Sequence, residues 1–119
     1  MDFNFVSDRP VYIQLVEKLR RAIITGYYPS GTKLPSVREL ALMAKVNPNT
    51  LQKALSDLES QKLIYTERTN GKYVTNDKEL ISAEQKKIAT ELTKKYISDM
   101  KSIGVSYSSL EEYLQETRE

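Results

Sequence analysis

Residues 46–61 read VNPNTLQKALSDLESQ, a polar, helix-starting segment followed by a strongly helical one. Asn47 is a preferred N-cap residue, and Pro48 suits the first helical position because an N–H group there would lack a helical partner. Val46 and Leu51 stand where a hydrophobic staple fixes the direction of the incoming chain. Apolar residues then recur on one face, at Leu51, Ala54, Leu55 and Leu58. The stretch therefore predicts a helix that begins at Pro48 and buries this face.

The opposite face of the same helix is polar. It carries Asn49, Gln52, Lys53 and Ser56, with Thr50 at its edge in the first turn. Asn and Gln side chains can pair bidentately with adenine, and the second helix of a helix-turn-helix presents such a first turn to the major groove. A solvated helix surface has a similar composition. This face alone therefore leaves DNA reading and plain solvent exposure both open.

Two further helices are predicted upstream. Apolar residues recur at helical spacing from Pro10 to Ile24, and Gly26 follows the end. In SVRELALMAK, Ser36 and Glu39 form an S-x-x-E capping box, which predicts a short second helix that ends near Lys45.

A turn and a hairpin complete the pattern. The segment YYPSGTKL contains turn residues and ends in Leu34, which we expect to be extended because a proline follows it. LIYTERT, Asn70-Gly71 and KYVT alternate like two strands around a tight turn. A hairpin directly after a helix-turn-helix predicts a winged helix. Arg68 and Lys72 flank the turn and are candidates for phosphate or minor-groove contacts, although a basic hairpin is also typical of a solvated sheet edge.

The order of these motifs resembles the N-terminal domain of the GntR family of bacterial transcription regulators. The resemblance spans residues 10–76 through PVYIQLVEKLRRAIITGYYPSGTKLPSVRELA, VNPNTLQKALSDLESQKLI and RTNGKYV. The NPNT and QKAL segments are most similar to the YtrA-like branch, whose members carry a short C-terminal extension. The resemblance implies a homodimer that binds a palindromic operator, commonly as a repressor of its own operon, often one encoding an ABC transporter.

The resemblance implies which residues of this chain correspond to the DNA contacts of the family. They fall on Ser36, Arg38, Asn49, Thr50, Gln52, Asn70, Gly71 and Lys72, to which the exposed-face residue Lys53 and the hairpin residue Arg68 are added. Many relatives have arginine where this chain has Pro48 and Gln52, and glycine where it has Thr69. An arginine fork favours guanine and an amide favours adenine, so we expect a different operator from that of arginine-bearing relatives.

The remaining residues predict one long amphipathic helix and one short helix. The apolar positions, which we assign to dimerisation, are Ile81, Ile88, Leu92, Tyr96, Met100, Ile103, Leu110, Tyr113 and Leu114. Gly104 should end the long helix, and Ser108 with Glu111 offers a second capping box. About 40 residues cannot enclose an independent ligand domain, so this face is buried either against the chain's own winged helix or in a dimer. We favour a dimer because paired half-sites need a two-fold protein.

Composition limits the function. The 119 residues contain no Cys and no His, which removes thiol nucleophiles, disulfides and His-based triads and leaves carboxylates as candidate metal ligands. No nucleophile set, phosphate loop or metal cluster is visible, so we predict neither an enzyme nor a cofactor or metal. No residue marks an effector ligand. The first ten residues lack the features of a signal peptide and no apolar run approaches the about 20 residues of a membrane span, so a cytoplasmic protein without membrane contact is expected.

Charge is distributed unevenly along the chain. Residues 1–77 contain 11 Lys and Arg against 8 Asp and Glu, net +3, whereas residues 78–119 contain 7 against 8, net −1. The sequence thus predicts a mainly α (α+β) protein with a winged helix-turn-helix DNA-binding domain at 1–77 and a helical dimerisation segment at 78–119. A winged helix that binds only proteins remains the alternative, and an apolar or acidic patch on the third helix would favour it.

Overall fold

A computed structural model describes residues 1–118 and divides the chain into two compact units, the first from Met1 to Ser82 and the second beginning at Ala83. Glu119, the last residue of the expected dimerisation segment, lies outside the described residues. The elements are α1 (Val11–Ile24), α2 (Val37–Ala44), α3 (Pro48–Ser60), β1 (Ile64–Glu67), β2 (Gly71–Val74), α4 (Lys78–Ser102), a 3₁₀ turn (Tyr107–Ser109) and α5 (Leu110–Glu116). This is a mainly helical winged helix-turn-helix with a long C-terminal helix and a short one, which confirms the predicted fold class.

The two helix starts that the sequence predicts are present. At α2, the Ser36 hydroxyl accepts from the Glu39 amide at 3.1 Å, and the Glu39 carboxylate accepts from the Ser36 amide at 3.2 Å. At α3, the Asn47 side-chain oxygen accepts from the Asn49 amide at 2.8 Å. Lys45 lies between them in the left-handed region, with φ 56°, and closes α2. Local capping therefore fixes both ends of the tight turn that joins α2 to α3.

A single core holds the first unit together. It is made by α1, α2, α3 and the base of the hairpin, and its fully buried members include Leu15, Leu19, Leu40, Leu51, Leu55, Leu58, Leu63, Ile64 and Val74. Leu80 and Ile81, in the first turn of α4, pack partly buried against the same core. The first compact unit accordingly extends beyond the Asp77 boundary drawn from the sequence. Ile81, assigned to dimerisation, is in contact with the core of its own chain.

The hairpin turn differs slightly from the sequence expectation. The loop is Arg68 to Asn70, and Gly71 pairs with Glu67 as the first residue of β2 instead of occupying the turn. Gly71 has φ 106°, a conformation that residues with a β-carbon rarely adopt. The extended segment expected before Pro35 is reduced to one bridge, Lys33 to Tyr73, beside β2.

The second unit contains most of α4, the 3₁₀ turn and α5. The long helix ends at Ser102, and Gly104 follows with φ 85°, as expected. The predicted capping box of Ser108 and Glu111 is wrong, because α5 begins after Ser109 without any side-chain cap. Ser108 lies inside the 3₁₀ turn, where it lacks the extended backbone of an N-cap residue. Within residues 1–118, no helix has the length and apolar character of a membrane span.

Removing the cap of α3 should destabilise the first unit. Asn47→Ala leaves the Asn49 amide without its side-chain acceptor, so we expect the free energy of unfolding to fall by about 1 kcal/mol in denaturant titration. Ser56→Ala, on the exposed face of the same helix, is the matched control and should change it by less than about 0.5 kcal/mol. Equal effects of the two substitutions would contradict the capping role.

Candidate nucleic-acid interface

The exposed face of α3 offers free amides. Asn49 and Gln52 are solvent-exposed, and within the described residues neither side chain forms a hydrogen bond. Thr50 is half-buried at the edge of this face, as its position in the helical repeat predicts. Leu51 and Leu55 are buried on the opposite side, which fixes the rotation of the helix. The packing therefore directs two amide side chains outward from the first turns of α3.

The first turn of α2 adds a basic group. Arg38 is exposed, and no ion pair to it occurs among residues 1–118. Ser36 is also exposed, although its hydroxyl already accepts the Glu39 amide. Hydrogen bonding to Ser36, above all from its backbone amide, holds the pKa of the Glu39 carboxyl below its ordinary value. Glu39 is thus engaged in the cap of α2, whereas the Arg38 guanidinium remains available to an external anion.

Lys53 contacts a residue of its own chain. Its ammonium lies 4.4 Å from the centroid of the Tyr12 ring on α1, and the Tyr12 hydroxyl donates to the Asp57 carboxylate on α3. Lys53 nevertheless remains solvent-exposed. A cation over an aromatic ring contributes about 0.5–1 kcal/mol at an exposed site. This pair connects α1 with α3 and restricts where the Lys53 ammonium can reach.

The wing is the hairpin of β1 and β2, and its predicted DNA-contact residues differ in their exposure to solvent. Arg68, Asn70 and Gly71 are exposed at its tip. Lys72 instead lies half-buried, with its ammonium 3.3 Å from Glu59 Oε2 on α3 and 3.0 Å from Thr66 Oγ1 on β1. Its phosphate contact stays a prediction, and its observed partners lie within the chain.

The sequence motifs do not identify one cation near the wing, Lys33. Lys33 is exposed, and its Cε would lie 3.3 Å from a β-carbon placed on Gly71. Its charge also helps to lower the pKa of Glu39, so Lys33 lies between α2 and the wing. Its antiparallel bridge to Tyr73 brings it there. No motif in the turn segment marks this position, because the bridge joins residues that are 40 positions apart.

Comparison with known proteins identifies the family. The model of bacterial regulatory proteins of the gntR family matches residues 11–74. The chain belongs to the GntR family. It is 35% identical over 92% of its length to the HTH-type transcriptional repressor YtrA of Bacillus subtilis, of which 85% is covered. It is 32% identical over 89% of its length to the uncharacterized HTH-type transcriptional regulator YhcF of the same organism, of which 88% is covered.

Solved structures agree with this assignment. A GntR family transcriptional regulator from Listeria monocytogenes is 39% identical and superimposes with a TM-score of 0.89 over 96% of this chain and 100% of its own. The AraR DNA-binding domain in complex with operator ORX1 is 30% identical, with a TM-score of 0.56 over 60% of this chain and 93% of its own. The chain is therefore a DNA-binding transcription regulator and not an enzyme, as the sequence predicts.

Acidification should loosen the wing of this GntR regulator. The Thr66 hydroxyl, followed by the charge of Lys72, holds the pKa of Glu59 below its ordinary 4.5, although burial opposes them. A lowered folded-state pKa means that this stabilisation is complete above the ordinary value and is lost as the pH falls through the folded value. Amide exchange in β1 and β2, corrected for intrinsic rates, should therefore accelerate as the pH falls below about 4.5 and through the lower folded-state pKa of Glu59.

The control for this measurement is Glu59→Gln, which cannot titrate. Its wing amides should exchange faster than those of the unaltered protein at about pH 6, with a weaker dependence on pH below that value. The same acceleration on acidification in both proteins would assign the pH dependence to another carboxyl.

Proposed function

We propose that the protein is a dimeric repressor that binds a palindromic operator with α3 in the major groove. The observation that carries this proposal is a pair of amides, Asn49 and Gln52, on the exposed face of a capped and tightly packed helix, neither of which has a side-chain hydrogen bond within residues 1–118. The named repressor function of YtrA and the operator complex of AraR support it. Such a regulator works in the cytoplasm, where bacterial DNA is found. Its own operon, by the resemblance one encoding an ABC transporter, is the proposed target.

Each proposed contact has a distinct physical role. Gln52 and Asn49 read base edges, since amides pair with adenine in the major groove. Arg38 neutralises a phosphate. Its exposed guanidinium forms no ion pair within the described residues, so binding a phosphate breaks no such pair. Arg68 and Asn70 at the wing tip reach the backbone or the minor groove. The remaining proposed contacts are Ser36, Thr50, Lys53 and Gly71.

A footprint on the DNA upstream of the protein's own gene tests the function. The protein should protect two inverted half-sites whose centres lie about one helical turn, roughly 10 base pairs, or a multiple of it apart. An unrelated duplex of equal length is the control. The absence of any protected palindrome there would contradict repression of its own operon, and failure to bind any DNA would favour a protein-binding winged helix.

Substitutions should separate base contacts from phosphate contacts. Gln52→Ala should lose about 1–3 kcal/mol of binding free energy on the operator and little on random DNA. Arg38→Ala should weaken both duplexes alike and reduce the slope of log K against log salt by about one. Titrations at several salt concentrations measure both quantities. Equal losses on operator and random DNA for Gln52→Ala would rule out base reading by this residue.

Exposed apolar surface in the second unit supports the dimer. Leu92, Ile103, Tyr107, Tyr113 and Leu114 are all exposed, and the relative exposure of Ile103 reaches 73%. Ile88, Tyr96 and Met100 are half-buried, whereas Leu110 is buried within its own unit. A groove of about 420 Å³ between α4 and α5 is lined mostly by apolar and tyrosine side chains, among them Tyr96, Ile97 and Leu114, together with polar ones such as Thr93 and Glu111. An apolar surface of this kind is typical of a protein interface.

Dimerisation should control operator affinity. Leu92→Asp places a charge in the proposed interface, so we expect a monomer in sedimentation and a loss of about a hundredfold in operator affinity, because the second half-site is no longer bound intramolecularly. Thr90→Asp adds the same charge on the opposite side of α4 and should remain a dimer. A chain that ends at Ser82 retains Leu80 and Ile81 in the core and should be folded and monomeric.

Two outcomes of these measurements would overturn the proposed interface. A shortened chain that unfolds would show that the C-terminal helices complete the core of the winged helix. A shortened chain that stays dimeric would place the interface within residues 1–82.

A further inference from the structure

The outer half of the wing has little apolar support of its own. Ile64 and Val74 are buried at its base, whereas Thr66, Glu67 and the loop from Arg68 to Asn70 are exposed. A two-stranded hairpin is at best marginally stable in water, because it buries little surface. The position of the wing tip relative to α3 must therefore be set by contacts beyond the base.

Strand alternation directs Lys72 toward the recognition helix α3. Thr66 pairs with Lys72 and Ile64 with Val74 across the ladder, so these four side chains share one face. Ile64 and Val74 on that face are buried in the core, which α3 also lines. Lys72 therefore projects from the inner face of the wing.

Glu59, the next-to-last residue of α3, binds both strands of the wing. Its Oε1 accepts from the Thr66 hydroxyl at 2.7 Å, and its Oε2 lies 3.3 Å from the Lys72 ammonium. The Lys72 ammonium also donates to Thr66 Oγ1 at 3.0 Å, which closes a three-membered network. The Lys72 side chain is only 16% exposed, so solvent screens this network less than a surface ion pair.

We propose that Glu59 is a positioning residue for the wing. Through Thr66 and Lys72 it fixes the distance between the wing tip and the base-reading face of α3, so that the two can contact one DNA duplex together. In this proposal Lys72 acts through the network, which replaces the phosphate contact predicted for it from the sequence. The inference rests on the proposed operator binding and adds to it a residue that neither the sequence motifs nor the resemblance singled out.

Whether DNA affinity rises or falls when Glu59 is neutralised distinguishes a positioning role from simple electrostatic repulsion. A carboxylate near DNA repels phosphate, so removing its charge should raise affinity if the carboxylate has no other role. If Lys72 were a phosphate contact held back by Glu59, neutralising Glu59 would also release the ammonium and raise affinity further. If Glu59 positions the wing, its neutralisation should lower affinity instead.

The experiment compares Glu59→Gln with Glu67→Gln in the full chain. Glu67 is an exposed acid of the same wing, and within the described residues its side chain forms no hydrogen bond. The probes are a duplex selected from a random pool by the unaltered protein and a scrambled duplex of the same composition. Glu59→Gln should bind the selected duplex about threefold more weakly, the scale of a partly exposed hydrogen-bonded pair. Glu67→Gln should bind each duplex at least as tightly as the unaltered protein does.

Two more variants make the test independent of charge. Thr66→Val removes the hydroxyl without altering the charge or branching of the side chain, and should weaken binding to the selected duplex by about the same threefold. Lys72→Met should leave the salt slope unchanged and should add little to the loss in a Glu59→Gln background, because both substitutions break one network. Thermal melting verifies that each variant is folded.

Tighter binding by Glu59→Gln, together with a salt slope reduced by about one in Lys72→Met, would make Lys72 a phosphate contact and overturn the inference. So would equal behaviour of Glu59→Gln and Glu67→Gln while the unaltered protein still prefers the selected duplex. If the unaltered protein shows no preference between the duplexes, the proposed operator binding fails and the inference fails with it.

Discussion

Burial of one face of α3 is the constraint on which the rest of the structure depends. Leu51, Ala54, Leu55 and Leu58 are all at most 1% exposed, and they pack against α1, α2 and the base of the wing. Burying each leucine stabilises the fold by about 1.5–3 kcal/mol, so the rotation of this helix cannot change without a large loss. The same rotation turns Asn49 and Gln52 outward. The stabilising contacts and the proposed DNA contacts thus lie on opposite faces of one helix.

Capping complements this packing by fixing the direction of the helix. Asn47 ends the turn from α2, and the paired bonds of Ser36 and Glu39 begin α2 in the same local manner. These bonds form between residues two or three positions apart, so they require no distant partner. The side chains of the first turn of α3 therefore start from a defined backbone, which would reduce the entropy lost in the proposed contact with DNA.

The two compact units use apolar residues differently. In residues 1–82, Leu15, Leu19 and their neighbours are enclosed, whereas α4 has no fully buried residue and leaves Leu92 exposed. A helix of 25 residues with exposed apolar side chains is typical of a helix that packs against a partner surface. A second copy of the chain is the partner we propose, since a palindrome needs two recognition helices.

The sequence by itself determined the helices, the caps of α2 and α3, the wing and the family. Those features depend on neighbours within a few residues, such as the amide of Asn49 beside Asn47, or on a local apolar period. Only the tertiary structure decided the surroundings of the cations. It placed Lys72 against Glu59, Lys53 over Tyr12 and Lys33 beside the wing, and it brought Ile81 onto the core of the first unit. The physical reason is that a long charged side chain can bind a residue that is distant in the sequence but near in the fold. The local sequence around either residue does not indicate that the two are near each other.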